Sequence, residues 1–144
     1  MVWLDRLLRI PLGMLFVAAG VVKMIYLPDF IVAVGEFGVV PDSLVAFSAG
    51  SICIAEILAG LGVALGSRIG PVALGMLLVV FMTVLAYGIY LGLDIDCGCL
   101  GPDYHVSLST QLLIDVGLIA WCGACCWTGQ SVRRSTQQVT RDEN

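Results

Sequence analysis

Four long apolar runs constrain this chain of 144 residues more than any other feature. They cover about residues 7–27, 43–66, 69–93 and 106–128. A helix needs roughly 20 mostly apolar residues to cross a hydrocarbon core of about 30 Å, and each run is long enough. The apolar residues in these runs do not alternate with polar ones, as membrane strands require. The sequence therefore predicts an all-α integral membrane protein built as a four-helix bundle.

Composition supports a membrane protein and argues against other classes. Hydrophobic residues make up 59% of the chain, charged residues make up 12%, and the mean hydropathy is +0.99. Soluble domains are about half apolar and about a quarter charged, and a small domain cannot bury such an excess. The net charge of −4 gives no basic patch for nucleic acid. We therefore expect no ordinary soluble enzyme, no disordered chain and no nucleic-acid partner, but contact with membrane lipid.

The positions of the charged residues predict how the bundle is oriented. With four crossings, six basic residues fall at one end: Arg6, Arg9, Arg68, Arg133, Arg134 and Arg141. The loops at the other end, residues 28–42 and 94–105, contain acidic residues but no Lys or Arg. Because positive residues mark the cytoplasmic side, both termini are predicted to be cytoplasmic and both loops to face outward. We expect a four-helix transmembrane domain over residues 1–130 and a polar cytoplasmic tail over 131–144.

Prolines and glycines refine the predicted helix ends. Pro11 is predicted to begin the first spanning helix after a short interfacial turn, because proline fits a first helical turn. Gly62 with Gly66, and Gly88 with Gly92, have the spacing that lets helices approach closely in lipid, so we expect a packing role for them. The first run has spanning length, and we expect it to remain as a membrane helix and not to be cleaved as a signal peptide.

The motif Cys97-Gly98-Cys99 follows the third predicted helix, in an outward loop where disulfides persist. Gly98 gives the backbone freedom for the tight turn that such a disulfide requires. A disulfide in so small a ring should be strained, and strained, exposed disulfides are the labile or catalytic ones. Two interpretations stay open here: reversible thiol–disulfide exchange, or a pair that only shapes its loop. His105 is a further candidate, because its positive charge would offset the acidic residues near the pair.

Three ionisable residues lie inside the predicted spans: Lys23, Glu56 and Asp115. Such residues are expensive in lipid and indicate a functional site by default. Counting along the helices places all three in the middle or outer half of the membrane, where Lys23 is expected to pair with Glu56 or with Asp115. The acid left unmatched would stay protonated and relay protons. The alternative is an ion pair that only holds the helices in register.

The remaining cysteines predict less chemistry. Cys122, Cys125 and Cys126 share one face of the fourth predicted helix, toward its cytoplasmic end. Packing is the first interpretation, because a buried free cysteine behaves as a small hydrophobe. Soft-metal binding and palmitoylation are the alternatives. The sequence assigns no role to Cys53.

Several motifs together resemble the methylamine utilisation protein MauE family, within the broader DoxX-like group of four-helix membrane proteins. The residues that carry the resemblance extend over about residues 6–128: Gly20-Val21-Val22-Lys23, Asp29-Phe30, Pro41, Ala55-Glu56-Ile57-Leu58-Ala59-Gly60 and Asp96-Cys97-Gly98-Cys99-Leu100-Gly101. The cysteine pair of the family corresponds to Cys97 and Cys99, and its membrane Lys and Glu correspond to Lys23 and Glu56. Leu100 departs from the family, which usually has Phe there.

The resemblance implies a component of the bacterial inner membrane that supports redox maturation of proteins outside the cytoplasm, as for the disulfide-rich small subunit of methylamine dehydrogenase. It also implies a thioredoxin-like partner or a cysteine-containing client protein. We expect Cys97 and Cys99 to exchange electrons with that partner, with a membrane quinone near Lys23 and Glu56 as a candidate electron carrier. Two other interpretations are a non-catalytic scaffold for the partner and a soft-metal transporter.

Overall fold

The computed structural model describes residues 2–67, 69–93 and 107–142, which form five helices without a strand in these ranges. The helices are α1 (Val2–Ile25), α2 (Leu27–Glu36), α3 (Asp42–Ala64), α4 (Gly70–Tyr90) and α5 (Leu108–Asp142). Four segments are long and apolar enough to cross a membrane: Asp5–Ile25, Asp42–Ala64, Gly70–Tyr90 and Leu108–Thr128. The prediction of an all-α membrane bundle with four spanning helices is confirmed.

The segment 28–42 was expected to be a loop, and this expectation is wrong for most of its length, because the segment contains α2. Pro28 lies in the first turn of this helix, where its missing N–H costs no hydrogen bond. Phe30 and Ala33 are buried, and Phe30 packs with Ala49 and Cys53 of α3. Burial of this apolar stripe attaches α2 to the end of the bundle where α1 ends and α3 begins.

Two further boundaries differ from the sequence-based expectation. α1 begins at Val2, so Pro11 lies inside the helix and does not start it. Proline cannot donate a backbone hydrogen bond, which disturbs the carbonyl ladder of the preceding turn. In that turn, the indole Nε1 of Trp121 donates to the carbonyl oxygen of Leu8 at 3.1 Å. At the other end of the chain, α5 continues beyond Thr128 to Asp142.

α1 and α3 pack closely because glycines face each other across their contact. A Cβ atom at Gly13 would lie 2.5 Å from the carbonyl oxygen of Gly60, and one at Gly60 would lie 2.8 Å from the carbonyl oxygen of Gly13. A Cβ at Gly20 would meet the side chain of Ile57 at 2.7 Å. Only glycine permits so short a distance between the backbones of α1 and α3. This close approach brings polar groups of the two helices within reach of each other.

The two predicted glycine pairs divide into packing residues and turn residues. Gly88 packs against the ring of Phe37, and Gly62 packs against Gly70. The expected packing role is wrong for Gly66 and Gly92, which have φ of +76° and +69° and end α3 and α4. After α3, the N–H of Gly66 donates to the carbonyl of Val63, and the N–H of Ser67 donates to that of Gly62. This pattern is the Schellman motif, which favours glycine at its left-handed position.

Candidate functional site

The centre of the candidate site is an ion pair between α1 and α3. Nζ of Lys23, in the last turn of α1, donates to both carboxylate oxygens of Glu56 at 2.6 and 2.8 Å. Lys23 is 3% exposed and Glu56 is 2% exposed, so both charges lie inside the bundle. The tight contact between α1 and α3 makes this approach possible. Of the two partners considered for Lys23, the structure places Glu56 against it.

Two phenyl rings, one from α2 and one from α4, lie beside the ammonium group. Nζ of Lys23 lies 4.9 Å from the centroid of Phe81 on α4 and 5.5 Å from the centroid of Phe30 on α2. Ring faces attract a cation within about 6 Å, more strongly where water is excluded. Cys53, fully buried one turn before Glu56, lies close enough to interact electrostatically with both ions. Four helices therefore meet at Lys23.

Asp115 on α5 belongs to the same region of the bundle. It is 3% exposed and lies close enough to Lys23 and Glu56 to interact with their charges. Nε2 of Gln111, one turn earlier on α5, donates to Oδ1 of Asp115 at 3.0 Å. The structure thus brings the three predicted intramembrane residues together, and it adds Gln111, which the sequence analysis missed. Gln111 lies four residues before Asp115, which is one helical turn, and this spacing was the signal in the sequence that could have identified it.

The other candidate residues, Cys97, Cys99 and His105, lie outside the described residues, and their roles remain predictions. These three residues lie in the connection between α4 and α5, and the structure describes the residues at both of its ends. Leu93 follows α4, Leu108 begins α5, and both pack around Phe37, which follows α2. The connection therefore leaves and re-enters the bundle at the same end as α2.

A second polar cluster, which the sequence analysis also missed, lies at the opposite end of the bundle. Arg9 was predicted to precede the first membrane helix, but it lies within α1 and is 7% exposed. Its guanidinium donates to Asp5 at 2.8 Å, to the carbonyl of Ser67 at 3.1 Å and to that of Cys125 at 3.2 Å. The hydroxyl of Thr128 also donates to Asp5, at 2.8 Å. This cluster ties α1 to α5 and to the turn after α3, and buried guanidinium groups are stable only when they are paired in this way.

The cysteines of α5 lie near this second cluster. Cys122 and Cys125 are buried in an apolar core with Leu12, Leu74 and other aliphatic residues, and Cys126 is partly buried. Within residues 2–67, 69–93 and 107–142, no group of three or more His, Cys, Asp or Glu side chains has a geometry that could hold a metal ion. Packing is the role that these contacts support for Cys122 and Cys125.

Comparison with known families identifies the type of bundle. The model of the family described as methylamine utilisation protein MauE matches residues 1–128. The chain belongs to the MauE family. The match covers the four spanning segments and stops where the apolar part of α5 ends, so the Lys23–Glu56 pair, Asp115, Cys97 and Cys99 all lie within the MauE region. No curated protein and no solved structure matches the chain.

Proposed function

We propose that this multi-pass membrane protein supports thiol–disulfide exchange in proteins outside the cytoplasm, with Cys97 and Cys99 as its redox pair. The family name associates such chains with methylamine utilisation. We accordingly propose an extracytoplasmic protein with several disulfides as the client, of the kind found in methylamine dehydrogenase. A thioredoxin-like protein is the proposed partner, and the bacterial inner membrane is the proposed location.

The observation that carries the proposal is where the cysteine-containing connection joins the bundle. Cys97 follows Leu93 by four residues, and Leu93 packs with Leu108 around Phe37. A chain extends by at most about 3.3–3.6 Å per residue, so the four residues from Leu93 to Cys97 span at most about 14 Å. The Lys23–Glu56 pair has Phe30 of α2 beside it, and Lys23 lies in the last turn of α1, toward the same end. Packed helix ends beside the connection are suited to holding a redox pair in position.

The proposed exchange uses only sulfur chemistry. A thiolate of the partner attacks one sulfur of the Cys97–Cys99 disulfide, and a mixed disulfide forms while the other sulfur leaves as a thiolate. The partner's second thiol then attacks the partner's own sulfur in the mixed disulfide, and the cysteine that was attacked first leaves as a thiolate. The partner's two thiols are thereby oxidised to a disulfide, and the Cys97–Cys99 disulfide is reduced to two thiols. The reverse reaction uses the same atoms.

The candidate electron carrier, a membrane quinone, was expected near Lys23 and Glu56, whose contacts are described. The ammonium donates to both oxygens of Glu56, and two phenyl rings lie beside it. These groups are engaged with one another, and a membrane quinone near Lys23 and Glu56 stays a prediction. We propose exchange at the cysteine pair and assign no step of it to a quinone.

Trapping of mixed disulfides tests the proposal. Cys97→Ser and Cys99→Ser each remove one sulfur, so one of the two variants should accumulate an adduct with the partner that the missing thiol would have resolved. Non-reducing gels and mass spectrometry of membranes, with and without dithiothreitol, would detect it. The double variant should form no adduct, and Cys126→Ser should behave as the unaltered chain. Normal client disulfides in both single variants, without any adduct, would contradict exchange and favour a non-catalytic scaffold.

A further inference from the structure

The polar pair on α5, formed by the buried Asp115 and the partly buried Gln111, has no part in the proposed exchange at sulfur. Asp115 accepts one hydrogen bond, from Nε2 of Gln111. Oε1 of the same amide is buried and has no hydrogen-bond partner among the described groups. A buried acceptor without a donor costs free energy, so the pair lacks one donor.

The charges around Asp115 indicate what the missing donor is. Among the described residues, the charged groups that act on it are Lys23 from α1 and Glu56 from α3, and α4 contains no charged residue between Gly70 and Tyr90. Lys23 donates to both oxygens of Glu56, so these two charges balance each other. An ionised Asp115 would add a second buried negative charge, and the single cation Lys23 would then face two carboxylates. Such a charge is expensive inside a membrane, and a carboxyl group avoids it by keeping its proton.

We infer that Asp115 and Gln111 form a neutral acid–amide pair that holds one proton inside the membrane, with Asp115 carrying the proton and Gln111 positioning it. In this pair the acid O–H donates to Oε1 of Gln111, while Nε2 of Gln111 donates to the carbonyl oxygen of the acid. The two hydrogen bonds join side chains one helical turn apart, and the unpartnered acceptor gains its donor. Loss of the proton breaks one of the two bonds.

The inferred site takes a proton as its ligand and needs no cofactor. It lies beside the Lys23–Glu56 pair, and its existence does not depend on exchange at the cysteines. Where exchange takes place, it would deepen the proposed function, because the attacking thiol loses a proton and the leaving sulfur gains one. A neutral acid in this part of the bundle is chemically suited to supply that proton.

Infrared spectroscopy of the full chain in lipid nanodiscs at neutral pH tests the inference. We expect a carbonyl band of a protonated carboxylic acid that shifts when aspartate carries ¹³C in its side-chain carboxyl, and that does not shift when glutamate carries it. The band should be lost in Asp115→Asn, whose neutral amide matches the acid in size, and it should change frequency in Gln111→Leu. Asp29→Asn, at an exposed position on α2, is the matched control and should leave the band unchanged.

Two results would overturn the inference. One is the absence of a protonated carboxyl band in the labelled, unaltered chain. The other is a band that follows the glutamate label, which would place the proton on Glu56. Both are read from the unaltered chain, so they decide the question even if a variant does not fold. Neither depends on trapping at Cys97 or Cys99, so failure of the exchange proposal and failure of this inference are distinguishable.

Discussion

Glu56→Gln is expected to lower the free energy of unfolding of this protein by about 3–5 kcal/mol, the usual cost of removing one partner from a buried ion pair. Lys23 would keep its charge beside the two phenyl rings. An amide would replace the carboxylate of Glu56, whose oxygens accept hydrogen bonds from Nζ at 2.6 and 2.8 Å. Denaturant titration of the protein in detergent micelles, followed by tryptophan fluorescence, would measure the change.

A double-mutant cycle separates loss of the pair from loss of packing. Lys23→Met together with Glu56→Gln removes both charges, so the double variant should be more stable than the sum of the single changes indicates, with a coupling energy of about 2 kcal/mol. Ser51→Ala lies on the same helix at an exposed position and should change stability by less than about 0.5 kcal/mol. Additive effects of the two charge variants would show that the pair contributes no specific stability.

Gly60→Ala is expected to separate α1 from α3 and to destabilise the protein by about 1–3 kcal/mol, the usual cost of overpacking. The added Cβ would lie 2.8 Å from the carbonyl oxygen of Gly13 and 3.0 Å from the backbone nitrogen of Val17. Backbone atoms cannot move aside as a flexible side chain can, so the helices must shift. The same titration in detergent micelles would measure the loss.

Gly75→Ala is the matched control for this steric effect. Gly75 lies on α4, and a Cβ atom there would have nothing within 4 Å. Because alanine is favoured over glycine in helices by about 0.8–1 kcal/mol, this variant should be as stable as the unaltered chain or more so. Equal effects of the two substitutions would contradict the close contact of α1 with α3.

The four spanning helices could be predicted because length and apolarity alone decide whether a segment can cross a membrane. α2 was missed because Pro28 and the acidic residues of its segment suggested a loop. Its apolar positions, Phe30, Ala33 and Phe37, have helical spacing, but the segment is too short to stand out. Pro11 is predicted to begin a helix because proline fits a first helical turn, and sequence alone does not show that neighbouring helices compensate the cost of an interior proline.

Which residues form the candidate site could be predicted more fully than which of them pair with each other. An ionisable residue in an apolar run is visible in sequence, which is why Lys23, Glu56 and Asp115 were identified. The choice of Glu56 as the partner of Lys23 depends on how each helix is rotated about its axis, and counting residues gives depth only. Arg9 was treated as a marker of orientation because its partners, the carbonyls of Ser67 and Cys125, are backbone groups that any sequence provides.

Labelling of Cys97 and Cys99 in intact cells tests the proposed function most directly. The probe is a maleimide that cannot cross membranes, and the variant retains these two cysteines while Cys53, Cys122, Cys125 and Cys126 are replaced by alanine. A chain that keeps Cys126 alone is the control for probe entry. The account predicts that both sulfurs of the pair react after treatment with a reductant and are protected again after re-oxidation. Failure of the probe to label either sulfur, even under strong reductant, would contradict an outward, reversible redox pair.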